Sequence, residues 1–266
     1  MPTVDAGGTE LNYVRSGAGE PLLLIQGMSA THLAWGQPFL SLLEQGFECI
    51  AFDNRGMGLS GPAQMPFGIA DLAADSGALL DALELERVHV LGISMGGTIA
   101  QELALAHPER IRTLSLGATW SYSSAGGLMS PADLQMLGEA VASGEQERVF
   151  RAMWEINLSP NFRADDSRFA AFAEMAAALP APQRVVVQQM QACIEHDTAD
   201  RLDRIELPTQ VIHGTADRLI GVENGIELAR LLGIEPRLLD YVGHLYWWEQ
   251  PQRSSELIRE HALAIA

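Results

Sequence analysis

The sequence predicts an α/β chain: a mostly parallel central sheet flanked by helices and interrupted by an all-helical insertion. Three observations carry that expectation. Short apolar runs such as Pro21-Leu22-Leu23-Leu24-Ile25 are continuous rather than alternating, which suits strands buried on both faces. These runs alternate with helical stretches, the crossovers that parallel neighbours require. Between residues 121 and 204 the alternation stops, and only helical stretches punctuated by prolines remain.

The elements follow in order. Residues 2–15 read as a hairpin turning at Gly7-Gly8, with Val4, Leu11 and Tyr13 facing inward. The buried run 21–25 ends in the turn Gln26-Gly27-Met28-Ser29. A short amphipathic helix is expected over 37–44 and a second buried strand over 47–52. Next comes Gly56-Met57-Gly58-Leu59-Ser60-Gly61, which matches the dinucleotide-binding glycine pattern after a strand. That pattern also needs a helix opening at the glycines, and Pro62 and Pro66 favour an irregular loop instead. No nucleotide site is expected. Over 69–83, Ile69, Leu72, Leu79 and Leu83 share one helical face, with Asp71 and Asp75 near the N-terminus where the dipole favours acid. A β-branched strand from Val88 leads to Gly92-Ile93-Ser94-Met95-Gly96-Gly97, and a helix runs from there to His107-Pro108. Residues 112–118 form the next strand. The insertion reads as helices over 131–142, 145–157, 166–179 and 183–196, marked off by Pro131, Pro160, Pro180 and Pro182. Strands over 209–213 and 236–242 then alternate with helices over 222–232 and 251–264.

The stretch around Ser94 points to nucleophilic chemistry. Strand, Gly-x-Ser-x-Gly and helix in immediate succession suit a nucleophile elbow, where the serine backbone is strained and its neighbours must be small. The amide of Met95, at the helix start, can face the oxyanion of a carbonyl under attack. A serine nucleophile needs a base and an orienter for that base. In sheets of this kind ligands bind at the carboxyl ends of the strands, so both are sought there. The strand at 209–213 runs into Gly214-Thr215-Ala216-Asp217, and that at 236–242 into Gly243-His244. The catalytic candidates are therefore Ser94, Asp217 and His244. A turn or capping role is the competing assignment for Asp217, and a surface histidine for His244. Met28, in the loop after the first buried strand, is the candidate for the second oxyanion amide. His89 lies inside the elbow strand, His107 at a helix end, and His213 at a strand end where packing or a backbone hydrogen bond is expected. His32, in the loop after Gly27, is a candidate to touch substrate. Trp35, Trp120, Tyr122, Trp154 and Tyr246 are candidates to line an apolar pocket, with core packing the alternative for each.

Composition sets the outer bounds. The chain has 266 residues, which allows one large domain or two small ones, and 47% of them are hydrophobic, ample for a real core. Its net charge of −17 with no basic cluster makes nucleic acid and anionic membranes poor partners. The N-terminus shows neither a basic region nor an apolar core, so no signal peptide is expected. No run of about 18 apolar residues is present, so no membrane span is expected. Cys49 and Cys193 read as isolated buried thiols in a reducing, cytoplasmic setting. Neither cysteines nor histidines show metal-ligand spacing, and no metal or cofactor is expected. Oligomeric state is not legible.

The motifs together resemble the α/β-hydrolase fold superfamily, in particular small esterases and lactonases such as the 3-oxoadipate enol-lactonases and the anthracycline methylesterases. The resemblance rests on residues 52–60, on 71–97, on His213-Gly214-Thr215-Ala216-Asp217 and on Gly243-His244. It departs at Gln26-Gly27, where the family usually has His-Gly. It implies a core of residues 1–120 and 205–266, with 121–204 forming a lid over the site. It also implies cleavage of a small to medium, largely apolar ester or lactone through an acyl-enzyme. The rival chemistries on the same triad are carbon–carbon bond hydrolysis, perhydrolysis and biosynthetic methyl-ester cleavage. A ligand receptor on this fold is the rival from another class.

Overall fold

The computed structural model describes residues 2–122 and 129–264. Its centre is an eight-stranded sheet in the order β1-β2-β4-β3-β5-β6-β7-β8. The strands are Thr3–Ala6 (β1), Thr9–Gly17 (β2), Glu20–Ile25 (β3), Phe47–Phe52 (β4), Val88–Ile93 (β5), Ile111–Gly117 (β6), Thr209–Gly214 (β7) and Arg237–Leu239 (β8). The hairpin β1–β2 is antiparallel, β2 joins β4 antiparallel, and all other pairs are parallel. Every residue of β5 is buried, as its unbroken apolar run requires of a central strand.

Helices cover both faces. They are Gln37–Leu43 (α1), Ile69–Ala82 (α2), Met95–Ala106 (α3), Pro131–Ala142 (α4), Gln146–Asn157 (α5), Pro160–Arg163 (α6), Phe169–Ala177 (α7), Gln183–Glu195 (α8), Val222–Leu231 (α9), Tyr246–Glu249 (α10) and Pro251–Leu263 (α11). Strand alternation divides the core. Leu23 and Ile25 of β3 face the cluster that holds Leu72 and Leu79 of α2, Ile99 and Leu103 of α3, and Leu228 of α9. Leu22 and Leu24 face the opposite cluster, with Phe39 of α1 and Leu257 and Ile258 of α11. A third cluster belongs to the segment between β6 and β7: Trp154, Leu158, Phe169 and Phe172, capped from the core by Leu245 and Trp248.

The sequence-based boundaries shift where chain ends meet solvent. The strand expected over 236–242 is only Arg237–Leu239, a short edge strand with two exposed residues. The helix expected over 166–179 opens with a tight turn at Asp166–Arg168 before α7. Two short helices, α6 and α10, were not anticipated. Pro160 does more than punctuate: it starts α6, with the Ser159 side chain accepting from Phe162 N. Cys49 and Cys193 are free and buried, and burial pushes both thiols up to about 12. Among the described residues no helix is long and apolar enough to cross a membrane.

Candidate active site

Ser94 stands between β5 and α3 with φ 57° and ψ −125°, a backbone region that side chains other than glycine rarely occupy. Its surroundings hold it there. Ser94 N donates to Gly117 O at 2.9 Å, and Ser94 O accepts from Gly97 N at 2.8 Å and Thr119 Oγ1 at 2.7 Å. Helix α3 presses so closely on β3 that a Cβ on Gly96 would lie 2.1 Å from Ile25 O. Alanine at Gly96 therefore meets backbone that cannot step aside.

The ends of β7 and β8 bring Asp217 and His244 together. His244 Nδ1 lies 2.8 Å from Asp217 Oδ2. The other carboxylate oxygen accepts from Leu219 N and Ile220 N, each at 2.9 Å. A second imidazole, His213 Nε2, lies 3.2 Å from Asp217 Oδ2 while also bonded to Ile220 O at 2.9 Å. The carboxylate is wholly buried, which opposes its ionisation. The charge and hydrogen bonds of His244 and His213 outweigh burial and hold it down to about 2. Such a carboxylate fixes the imidazole so that its Nδ1 proton points at the acid and Nε2 points away. A Ser94–His244 hydrogen bond is not among those formed by the described residues.

The loop after β3 runs against the serine. A Cβ on Gly27 would lie 3.0 Å from Ser94 Cβ and 3.4 Å from its Oγ. Met28, the next residue, is one of the more exposed apolar side chains, at 36%. Met95 is the first residue of α3, so its amide has no acceptor within the helix. Gln26, where the family usually has histidine, is buried and its Oε1 accepts from Gly27 N at 3.2 Å.

The remaining candidates lie in varied surroundings. His32 is buried, and its backbone N and Nδ1 meet Asp53 Oδ1 at 2.7 and 2.9 Å. Trp35 stacks on Phe39 and meets Trp247 at a tilt. Tyr246 is fully buried, with its hydroxyl packed where a Cβ on Gly117 would fall. Trp120 is buried in the core on the α2–α3 side of the sheet. Trp154 is enclosed by Phe162, Phe169 and Phe172. Tyr122 is half-buried and bridges to Asp197. A cleft of about 430 Å³ opens between α7 and residues 33–39, with Trp35, Met175, Trp247 and Trp248 in its wall. Neither Ser94 nor Asp217 nor His244 lines it.

Two arginines lie near strand ends. Arg55 makes a two-pronged pair with Asp75 at 2.6 and 2.7 Å. Arg218 bonds Asp133 of α4 and, at 3.4 Å, Glu155 of α5. Sequence reasoning gave His213 a packing or backbone role and missed its contact with Asp217. The four-residue spacing of His213 and Asp217 across a tight turn was the available signal.

A family model described as alpha/beta hydrolase fold matches residues 20–251. A protein of Azorhizobium caulinodans, provisionally named a carbamate hydrolase, is 32% identical over 83% of this chain and 82% of its own. The 2-hydroxy-6-oxo-2,4-heptadienoate hydrolase of Pseudomonas putida is 29% identical over 96% of this chain and 92% of its own. The crystal structure of an enol-lactonase from Burkholderia xenovorans superposes with a TM-score of 0.83 at 22% identity, covering 98% of this chain and all of that one. At that identity the likeness concerns the fold.

Proposed function

The chain belongs to the alpha/beta hydrolase fold family, and from that premise we propose that it is a serine hydrolase of small to medium, largely apolar carboxylic esters or lactones. Ser94 Oγ attacks the carbonyl carbon while His244 Nε2 takes its proton. The Met28 and Met95 amides receive the oxyanion. Collapse of the tetrahedral intermediate expels the alcohol oxygen, which takes the proton back from His244, and leaves an acyl group on Ser94. Water, activated by His244, then releases the acid. Asp217 holds the imidazole through the 2.8 Å bond to Nδ1 and stabilises its charged form. Residues 121–204 act as the lid that selects the substrate.

The observation that carries this reading is the hydrogen-bonded Asp217–His244 pair on successive strand ends of a sheet whose central strand ends in the strained Ser94. A fluorophosphonate should label Ser94 once, and Ser94→Ala should lose on the order of 10⁶ in kcat on p-nitrophenyl esters. Normal turnover by Ser94→Ala would remove the serine from the mechanism.

A second reading, carbon–carbon bond hydrolysis, is favoured by the likeness to the heptadienoate hydrolase across nearly the whole chain. A dienoate carries a carboxylate that calls for a cation at the site. Arg55 and Arg218 are both already engaged by carboxylates, which favours the ester or lactone. A panel of p-nitrophenyl esters, simple lactones and a vinylogous 1,5-diketone acid separates the two. Efficient turnover of the diketone acid with feeble ester cleavage would select the second.

A further inference from the structure

The loop that carries His244 is fastened on both sides to a segment some ninety residues away. On one side Gly243 N donates to Glu249 Oε1 at 2.9 Å. The same oxygen accepts from Ser159 N at 2.7 Å, and Glu249 Oε2 accepts from the Ser159 hydroxyl at 2.5 Å. On the other side Leu245 N donates to Asn157 O at 3.0 Å. There is no slack between the two strands of chain. A Cβ on Gly243 would lie 2.8 Å from Asn157 O, 2.9 Å from Ser159 N and 2.9 Å from Glu249 Oε1.

We propose that Glu249 is a positioning residue: its carboxylate clamps the His244 loop onto residues 157–159 of the helical insertion and so aims the imidazole. The proposal rests on His244 being the base. A carboxylate suits the task because it only accepts, and its two oxygens can take three donors at once. Glu249 is the last residue of α10, and its own amide bonds Leu245 O at 3.2 Å, so the acceptor is tied to the loop it holds. Asp217 fixes one end of the imidazole, at Nδ1. The clamp fixes the backbone from which the ring springs, which sets where Nε2 points. It also makes base geometry depend on the seating of the insertion, because Ser159 and Asn157 belong to that segment.

The test compares Glu249→Ala, Glu249→Gln and Ser159→Ala with the parent in steady-state kinetics, phosphonate labelling and amide hydrogen exchange. A misplacement near 1 Å is worth about 10²-fold, so Glu249→Ala should lose roughly 10–100-fold in kcat while KM changes by about threefold or less. Labelling of Ser94 should slow in step, and exchange at the amides of Gly243 and Ser159 should accelerate. Glutamine keeps a carbonyl for both amides and an NH₂ for the Ser159 hydroxyl, so Glu249→Gln should recover most of the loss. If Glu249→Ala does not fold, Ser159→Ala removes the hydroxyl link alone, and a smaller kcat loss with KM unchanged is the expected result. The proposal is overturned if Glu249→Ala keeps parental kcat and labelling, if only KM moves, if glutamine is as damaging as alanine, or if Ser159→Ala leaves both kcat and exchange unchanged. A parent that neither labels nor turns over esters would instead overturn the hydrolase reading and the base with it, a distinct outcome read before any variant is made.

Discussion

At the scale of single residues, Asp217 concentrates more interactions than any turn or capping role needs. Two amides serve one oxygen and two imidazoles converge on the other. Asparagine is close in shape but has a single carbonyl oxygen. If that oxygen keeps the Leu219 and Ile220 amides, the NH₂ faces His244 and turns it to the wrong tautomer. Asp217→Asn should therefore fold and lose roughly 10⁴ in kcat with KM little changed, measured on a chromogenic ester. A nearly active Asp217→Asn would send the search for the acid elsewhere. The sign of the pH effect follows from the depressed carboxyl. The unfolded chain protonates Asp217 near about 3.9, the folded one only near about 2. The stability it contributes is present above the unfolded value and is lost as pH falls through the folded one. Acid loss of activity at milder pH therefore falls outside the range in which this carboxylate takes up its proton.

At the scale of elements, legibility in the sequence followed burial. The strands that run through the centre are largely buried on both faces, so β3, β4, β5, β6 and β7 announce themselves within a residue or so of where they lie. The edge strand β8 and the one-turn helices α6 and α10 are too short to show a period, and they were mis-sized or missed. Long-range contacts leave no local trace at all. Nothing near His196 in sequence reveals that it is buried beside Glu102 of α3, with Thr198 bonded to Gln101 at 2.5 Å. This is where the chain returns from the insertion to the core. Burial drives the His196 imidazole down to about 4, with Glu102 only partly opposing. The unfolded chain protonates this histidine below about 6.5, so between those values the unfolded state binds more protons and stability falls as pH drops. The penalty approaches on the order of 3 kcal/mol at pH 4. Urea unfolding between pH 7 and 4.5 should show it, and His196→Asn should flatten that part of the curve. An unchanged slope in the variant would place the acid sensitivity in another group.

At the scale of the whole molecule, the sheet with its two covering layers forms one body, and the segment between β6 and β7 has an aromatic cluster of its own. The two meet along α8, whose Val185, Ala192 and Cys193 join the α2–α3 side of the core, at the Thr198–Gln101 bond, where Leu245 and Trp248 cap the aromatic cluster, at the Glu249 clamp, and through Arg218. Arg218 follows Asp217 directly and reaches α4 and α5 together. The Asp133 carboxylate it binds is buried and, among the described residues, otherwise meets the Ser130 hydroxyl, whereas Glu155 is half-exposed. An exposed pair contributes little, but a buried carboxylate left without its cation is costly. Arg218→Met keeps the aliphatic stem and should release α4 and α5 without touching the amides that hold Asp217. Limited proteolysis should then cut faster within residues 129–165, and the KM for bulkier esters should shift while phosphonate labelling of Ser94 stays close to parental. Asp133→Asn should soften the proteolytic effect of Arg218→Met in the double variant, because the charge left unpaired is gone. Should the single variant resist protease as the parent does, the contacts other than Arg218, among them the packing of α8, the aromatic cap and the Glu249 clamp, would be sufficient to seat the insertion, and Arg218 would be a surface charge that merely finds partners.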